Sequence, residues 1–432
     1  MTVTDLPPGA LPRSYLTWLT GFTVSRLGDA VLMFALGWAA SGLGGTTAAL
    51  VLTLTGLPRV ILLVVGGAVA DRVGARRILI AGEAAMLALS VALAVALARF
   101  GTPTWLLLTS SLALGTVTAF CLPAAGSQPR RLVPDDQLPR ALALRQGSGQ
   151  AVLMGAAPLG GLLVGTVGLP AIAWGDAVTL GVGLCVLVAV RDMSSPASDA
   201  VSTAASRTVR LDLVDGFRVV GRTPGLRRAL ILVGAGAALM LPVPSLLVPL
   251  LGRASSWGPG STGVVAGAVG VGVISAAVLT ARRRRPPPRT AGGARAAAGL
   301  AVSAVGAFLL ATGPALVGPD GVAVAIVGAL VFGFGNGTFV ARLAPLVLGS
   351  APRTHLARVQ ALVGLVQLVP VMVTNTILGA LAQHASPGWA LGATSAGLAA
   401  CAAWAYRLRL YDDGVSAGPA AREQHDDRLP AR

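Results

Sequence analysis

Apolar runs of about 20 residues recur from one end of this chain to the other, separated by short polar gaps. Wound as an α-helix, a run of that length crosses a hydrocarbon core about 30 Å thick. The runs fall at 15–40, 47–69, 78–99, 103–124, 141–165, 168–190, 228–251, 259–281, 292–314, 320–344, 357–383 and 388–408. They predict twelve transmembrane helices, in which each backbone amide is paired within its own segment. The expected class is therefore an all-α polytopic membrane protein.

One gap differs from the rest. Residues 191–227 form the only long polar stretch between runs, and they divide the spans six and six. This predicts an N-terminal six-helix bundle over 1–190, a cytoplasmic linker over 191–227 and a C-terminal six-helix bundle over 228–410. A polar, disordered cytoplasmic tail over 411–432 follows. Within the linker, Leu211 to Val220 has the pattern of a short amphipathic helix lying on the inner surface. The halves also resemble each other. "PDDQLPRALAL" (Pro134 to Leu144) aligns with "PRTHLARVQAL" (Pro352 to Leu362), and the same offset carries Leu159 to Leu163 onto Ile377 to Leu381. A shared register at the same place in each half favours duplication over chance similarity among small-residue helices. Two such halves with substrate between them is a transporter architecture.

Composition narrows the function. With 54% hydrophobic and 12% charged residues, the chain is not an ordinary soluble domain. Its net charge of +16 comes entirely from arginine, since no lysine is present. These arginines collect in alternate gaps instead of forming one basic face, so nucleic acid is not an expected partner. They follow the positive-inside pattern instead. With the N-terminus cytoplasmic, inner loops hold Arg72, Arg76, Arg77, Arg130, Arg131, Arg140, Arg282 to Arg285 and Arg353, and outer loops only Arg99 and Arg253. Both termini then lie inside, and the expected location is the cell membrane, inner or plasma. Without lysine there is no Walker A motif and no Schiff-base chemistry. Cys121, Cys185 and Cys401 are scattered, and His355, His384 and His425 stand apart, so neither a metal site nor a cofactor is expected. No catalytic constellation converges, and an enzyme is not expected.

The gap between the second and third runs reads "GGAVADRVGARR". Its pattern Gly67-x-x-x-Asp71-Arg72-x-Gly74-x-Arg76-Arg77 resembles the loop 2–3 signature of the major facilitator superfamily. Ser25 to Trp38, Pro123 to Gly161 and Asp176 to Leu184 are similar to a bacterial branch of drug and siderophore exporters. The resemblance implies two bundles, alternating access and a conformational latch built from Gly67, Asp71, Arg72, Gly74, Arg76 and Arg77. In it Asp71 meets a helix N-terminus of the other half, with the eleventh span as the expected partner. Read on its own, Asp71 is also able simply to neutralise Arg72. The corresponding second-half loop, "ARRRRPPPR", has no acid and keeps only the topological role. Proton antiporters of this type often carry Gly-Pro-x-x-Gly-Gly in the fifth span. Here Gly155, Pro158, Gly160 and Gly161 keep the final glycines with the proline displaced by one, which supports helix packing and only weakly antiport.

Ionisable residues inside spans are costly and are functional candidates by default. Arg26 and Asp29 sit three apart in the first span, Asp29 near its middle, with Arg59 and Asp176 at comparable depth and Glu83 nearer the inner end of the third. Either Asp29 exchanges a proton while Arg26 or Arg59 accepts its charge, or the group is a structural ion pair. Asp176 either binds a proton or cation, or bonds a neighbouring hydroxyl such as that of Thr179. Asn336 either lines the central cavity or ties helices together. Trp18, Phe22, Trp38 and Phe120 offer stacking surfaces to a flat ligand, although Trp18 and Trp38 lie where interfacial anchoring is expected. Together these features predict a monomeric secondary transporter that exports a small organic molecule against protons, with the proton gradient as its driving force and the bilayer as its setting. The alternatives are a facilitator or proton-coupled importer of a small metabolite, and a transporter-like membrane sensor.

Overall fold

A computed structural model describes residues 11–65, 75–134, 136–190, 224–282, 291–317, 321–350 and 356–407. These segments are helical apart from short turns. The first half contains α1 (Arg13–Ser41), α2 (Gly45–Val65), α3 (Ala75–Phe100), α4 (Thr104–Leu132), α5 (Leu138–Thr166) and α6 (Gly168–Ala189). In the second half α7 is built in three pieces: Pro224–Met240, a π-turn at Val243–Leu247, and Val248–Ala254. There follow α8 (Pro259–Arg282), α9 (Ala291–Val317), α10 (Gly321–Ser350), α11 (Leu356–His384) and α12 (Pro387–Arg407). Eleven of the helices are long and apolar enough to cross a membrane.

Several helices outrun the apolar run that predicted them. α4 continues to Leu132, past the expected end at 124, and its last turn carries Arg130 and Arg131. Cations there complement the negative end of the helix dipole, so the helix persists into water after hydrocarbon length is satisfied. Junctions are tight. Gly168 adopts φ +80° between α5 and α6, a conformation that side chains disfavour.

Packing repeats with an offset of six. α1 packs on α2, α4, α5 and α6, as α7 packs on α8, α10, α11 and α12. α2 meets α4 as α8 meets α10, and α3 meets α4 and α6 as α9 meets α10 and α12. The fold is two pseudo-symmetric six-helix bundles. Among the described residues three main seams run between them, α1 with α7, α2 with α11 and α5 with α8, beside a small contact of α2 on α7. A two-fold axis exchanges the second seam with the third and maps the first onto itself.

Glycine makes the two larger seams close. A Cβ at Gly161 would meet the Pro259 carbonyl and the Gly263 Cα, and one at Gly45 would meet the Gly379 carbonyl. Each seam starts at the same end of the molecule, where α1 and α5 finish and α2 and α8 begin. The α2 seam continues to Gly56 against Leu368 and Met372, eleven residues on, or roughly 16 Å along the helix. The bundles are thus closed against each other from this end towards the middle.

Trp18 and Trp38 depart from the expectation of interfacial anchors. Both are buried, at 3% and 5% exposure. Tight packing explains this: Trp18 stacks on Phe22 with ring centroids 5.2 Å apart, and Trp38 lies beneath Arg253 of the other bundle. Position near a span end did not reveal that these rings face protein.

Candidate functional site

Two arrangements of polar groups stand out against the apolar framework. The first closes the end of the molecule just described. The α1–α2 turn, 42–44, is held from the opposite bundle at both of its helix ends. Arg253 of α7 donates from Nη2 to the Trp38 carbonyl at 3.1 Å and lies 4.0 Å over the Trp38 ring. It thereby serves the carbonyl-rich end of α1, where backbone acceptors lack helical partners. Gln383 of α11 takes the other side, its Oε1 accepting from the Thr46 main-chain N–H at 2.8 Å and the Thr46 hydroxyl at 2.6 Å. Those donors belong to the first turn of α2, whose amides are the orphans. Gly44, at φ +115°, forms the turn between the two grips.

The second arrangement lies inside the N-terminal bundle. Arg26 and Asp29 of α1 form an ion pair at 3.4 Å. Ser25, one residue before Arg26, donates its hydroxyl to Glu83 Oε1 of α3 at 2.9 Å. Further along α3, Ser90 donates to Asp176 Oδ2 of α6 at 2.6 Å. Thr179 is spent on its own helix, donating to the Asp176 main-chain carbonyl at 2.9 Å, so the hydroxyl on this carboxylate is that of Ser90. Three carboxylates from three helices therefore meet in one bundle. Small residues permit this: a Cβ at Gly28 would lie 2.7 Å from Asp176 Oδ1, and one at Gly183 would lie 3.0 Å from Glu83 Oε1.

A cavity of about 120 Å³ opens onto this group, lined by Trp18, Phe22, Met86 and Cys121 together with Arg26, Asp29 and Glu83. Arg145 of α5 also lines it, with its guanidinium 5.5 Å from the Phe22 ring centre. Stacked rings beside both signs of charge make a surface suited to an amphipathic organic group.

The remaining sequence candidates distribute as follows. Asp29, Arg26 and Asp176 come together, the Arg26 guanidinium pairing with Asp29, and Arg59, exposed on α2, lies within electrostatic reach of Arg26. Asn336 is half-buried on α10, in the other bundle. Gly160 packs on the Phe34 ring of α1, Gly161 on α8, and the Pro158 ring meets Gly267 of α8, while Gly155 has only its own helix within reach. Gly67, Asp71, Arg72 and Gly74 lie outside the described residues, as do the region 211–220, the loop 283–290 and the tail. Of the signature, Arg76 and the exposed Arg77 are described. Arg76 Nη2 donates to the carbonyls of Leu187, Val188 and Val190 at 3.2, 3.0 and 2.9 Å and so caps α6.

Along the sequence Glu83 is only a charge near the inner end of its span, and Arg253 only an arginine between spans. Nothing local pointed from Arg253 to Trp38.

These features can be set beside known proteins. No curated protein matches the chain. Solved structures do. A bacterial homologue of the iron transporter ferroportin, in its inward-facing state, aligns with a TM-score of 0.69 at 16% identity, covering 93% of this chain and 99% of that one. A nucleoside transporter aligns at 0.72 and 11% identity, covering 91% and 99%. A POT family transporter in complex with 5-aminolevulinic acid aligns at 0.68 and 13%, covering 95% and 99%. At such identities these likenesses speak for the fold. The model of the Major Facilitator Superfamily matches residues 18–317, well over half the chain. The protein belongs to the major facilitator superfamily of transporters and is not an enzyme.

Proposed function

We propose that the protein is a secondary transporter that exports a small amphipathic organic molecule by alternating access, in exchange for protons. The observation that carries this reading is the carboxylate group of the N-terminal bundle. Ionisable side chains at such depth are expensive in a bilayer and are retained where they bind or move charge. The aromatic and arginine-lined cavity beside them suits a flat, amphipathic cargo. The resemblance to drug and siderophore exporters in the first half points the same way. The nucleoside transporter of similar fold agrees with a small solute as cargo.

Orientation follows from the arginines. With the N-terminus cytoplasmic, the end clasped by Arg253 and Gln383 faces outward, and the conformation is inward-facing. Cargo then enters from the cytoplasm, between the bundles. The motor is the proton gradient, with no bound cofactor, and the working unit is a monomer. Asp71, with the arginines of its loop, is the proposed latch of the opposite, outward-facing state.

Everted membrane vesicles with an imposed pH gradient test this. Compounds of the amphipathic class are expected to accumulate inside the vesicles when the lumen is acid and to stop accumulating when the gradient is collapsed. Accumulation that ignores the gradient would replace antiport by facilitated diffusion. Gradient-driven movement in the opposite sense would make the protein an importer.

A further inference from the structure

The carboxylates of the N-terminal bundle are not equivalent. Asp29 has a cation, Arg26, at 3.4 Å from its Oδ2, although its Oδ1 is also buried without a hydrogen-bond partner. Glu83 and Asp176 have none within ion-pair distance among the described residues, and each accepts one hydroxyl, from Ser25 and Ser90. Asp176 is 2% exposed, and its Oδ1 is buried without a hydrogen-bond partner, facing Gly28. An ionised carboxylate in that position would be a bare charge in a low-dielectric interior, supported by a single hydroxyl. Buried charges persist when paired, and otherwise the group takes up its proton.

Among the described residues, no other cation is bonded to either carboxyl, although Arg59 of α2 lies within electrostatic reach of Arg26. α1 presents Asp29 and Arg26, α3 presents Glu83, α4 presents Cys121 and α5 presents Arg145. Arg145 is engaged over the Phe22 ring, and Arg26 is already paired. A third negative charge beside Asp29 would be disfavoured further by like-charge repulsion. The spacing is graded as well. Glu83 and Asp29 line the cavity, whereas Asp176 is sealed among α1, α3 and α6 and does not line it. Gly183 and Gly28 are cut away where the Glu83 and Asp176 oxygens sit, so each carboxyl has a fitted place.

We propose that Glu83 and Asp176 form a proton-binding site inside the N-terminal bundle. Glu83 is the group that exchanges with the cavity, and Asp176 the one that stores the proton behind it. The Arg26–Asp29 pair is their fixed neighbour and keeps its own charge in this conformation. The assignment rests on the antiport reading only for its part in transport, not for the proton binding itself.

Infrared spectroscopy on the full-length protein in lipid nanodiscs tests it without any cargo. Near neutral pH, carbonyl stretches of protonated carboxyls are expected, one shifting quickly and one slowly after transfer to heavy water. Glu83→Gln is expected to remove the fast component and Asp176→Asn the slow one. Ser90→Ala keeps the Asp176 carboxyl but deletes its donor, and is expected to move the slow band without abolishing it, so the test survives if Asp176→Asn fails to fold. Bands unchanged in both carboxyl variants would overturn the site. Loss of the bands on adding sodium at constant pH would also overturn it, in favour of a metal cation. Bands that behave as expected in a protein moving no cargo under a pH gradient would keep the site and remove antiport.

Discussion

Gly28 and Gly155 read alike in the sequence, each a glycine within an apolar span. Their surroundings differ. A Cβ at Gly28 runs into Thr179 Oγ1 and the Asp176 carboxyl, whereas at Gly155 the nearest foreign atom is the Leu159 side chain of the same helix, 4.0 Å away. Forcing a methyl into the α1–α6 contact costs about 1–3 kcal/mol. Gly28→Ala should therefore lower the thermal unfolding midpoint of the purified protein. Gly155→Ala should leave it unchanged or raise it, because alanine in a helix gains about 0.5–1 kcal/mol over glycine. Equal effects of the two substitutions on melting would mean that the cradle around Asp176 is loose. The same contrast between local sequence and surroundings holds for Arg253. Its number places it at the end of a span, where an arginine normally meets water, and only the fold brings the Trp38 carbonyl beneath it.

At the scale of helices, the α1–α2 hairpin is the element most dependent on the other bundle. Arg253 and Gln383 satisfy backbone groups at both of its ends, a role that water takes over once the bundles part. Losing a side-chain cap costs about 0.5–2 kcal/mol, and about 1 kcal/mol changes a two-state ratio roughly fivefold. Arg253→Ala and Gln383→Ala should each shift the population towards opening at this end. A cysteine at Ser41, which is 6% exposed, reports it in a background lacking Cys121, Cys185 and Cys401. Its maleimide labelling should rise severalfold in either variant; unchanged labelling would show that the two grips do not hold this end closed. Helices themselves were readable from the sequence, because 20-residue apolar length alone decides them. The faces of those helices were not. Both lipid and protein interior are apolar, so a membrane helix carries little periodic signal about which side packs. The meeting of Ser25 with Glu83 and of Ser90 with Asp176 is accordingly invisible along the chain, although each acid by itself was conspicuous.

For the whole molecule, the offset-of-six packing makes the two large seams equivalent, since the two-fold exchanges α2–α11 with α5–α8. The equivalence extends to their construction. A Cβ at Gly379 of α11 would meet Ala49 and the Gly45 carbonyl of α2, as one at Gly161 of α5 would meet the Pro259 carbonyl and the Gly263 Cα of α8. If alternating access is a rocking of two rigid bundles about the end now closed, a wedge in either seam acts on the same motion. Gly379→Leu and Gly161→Leu each place a branched side chain where no Cβ fits, and each should part the bundles at the closed end and bring them together at the other. Spin labels on opposite bundles, one pair at each end, measure this by pulsed distance spectroscopy. Both variants should lengthen the distance at the closed end and shorten it at the open end, by similar amounts. The double variant should add little beyond either single one, because one rocking motion relieves both wedges. A variant that moved only its own seam would mean that the bundles deform internally, and the pseudo-symmetry would then describe the ancestry of the fold without describing its motion.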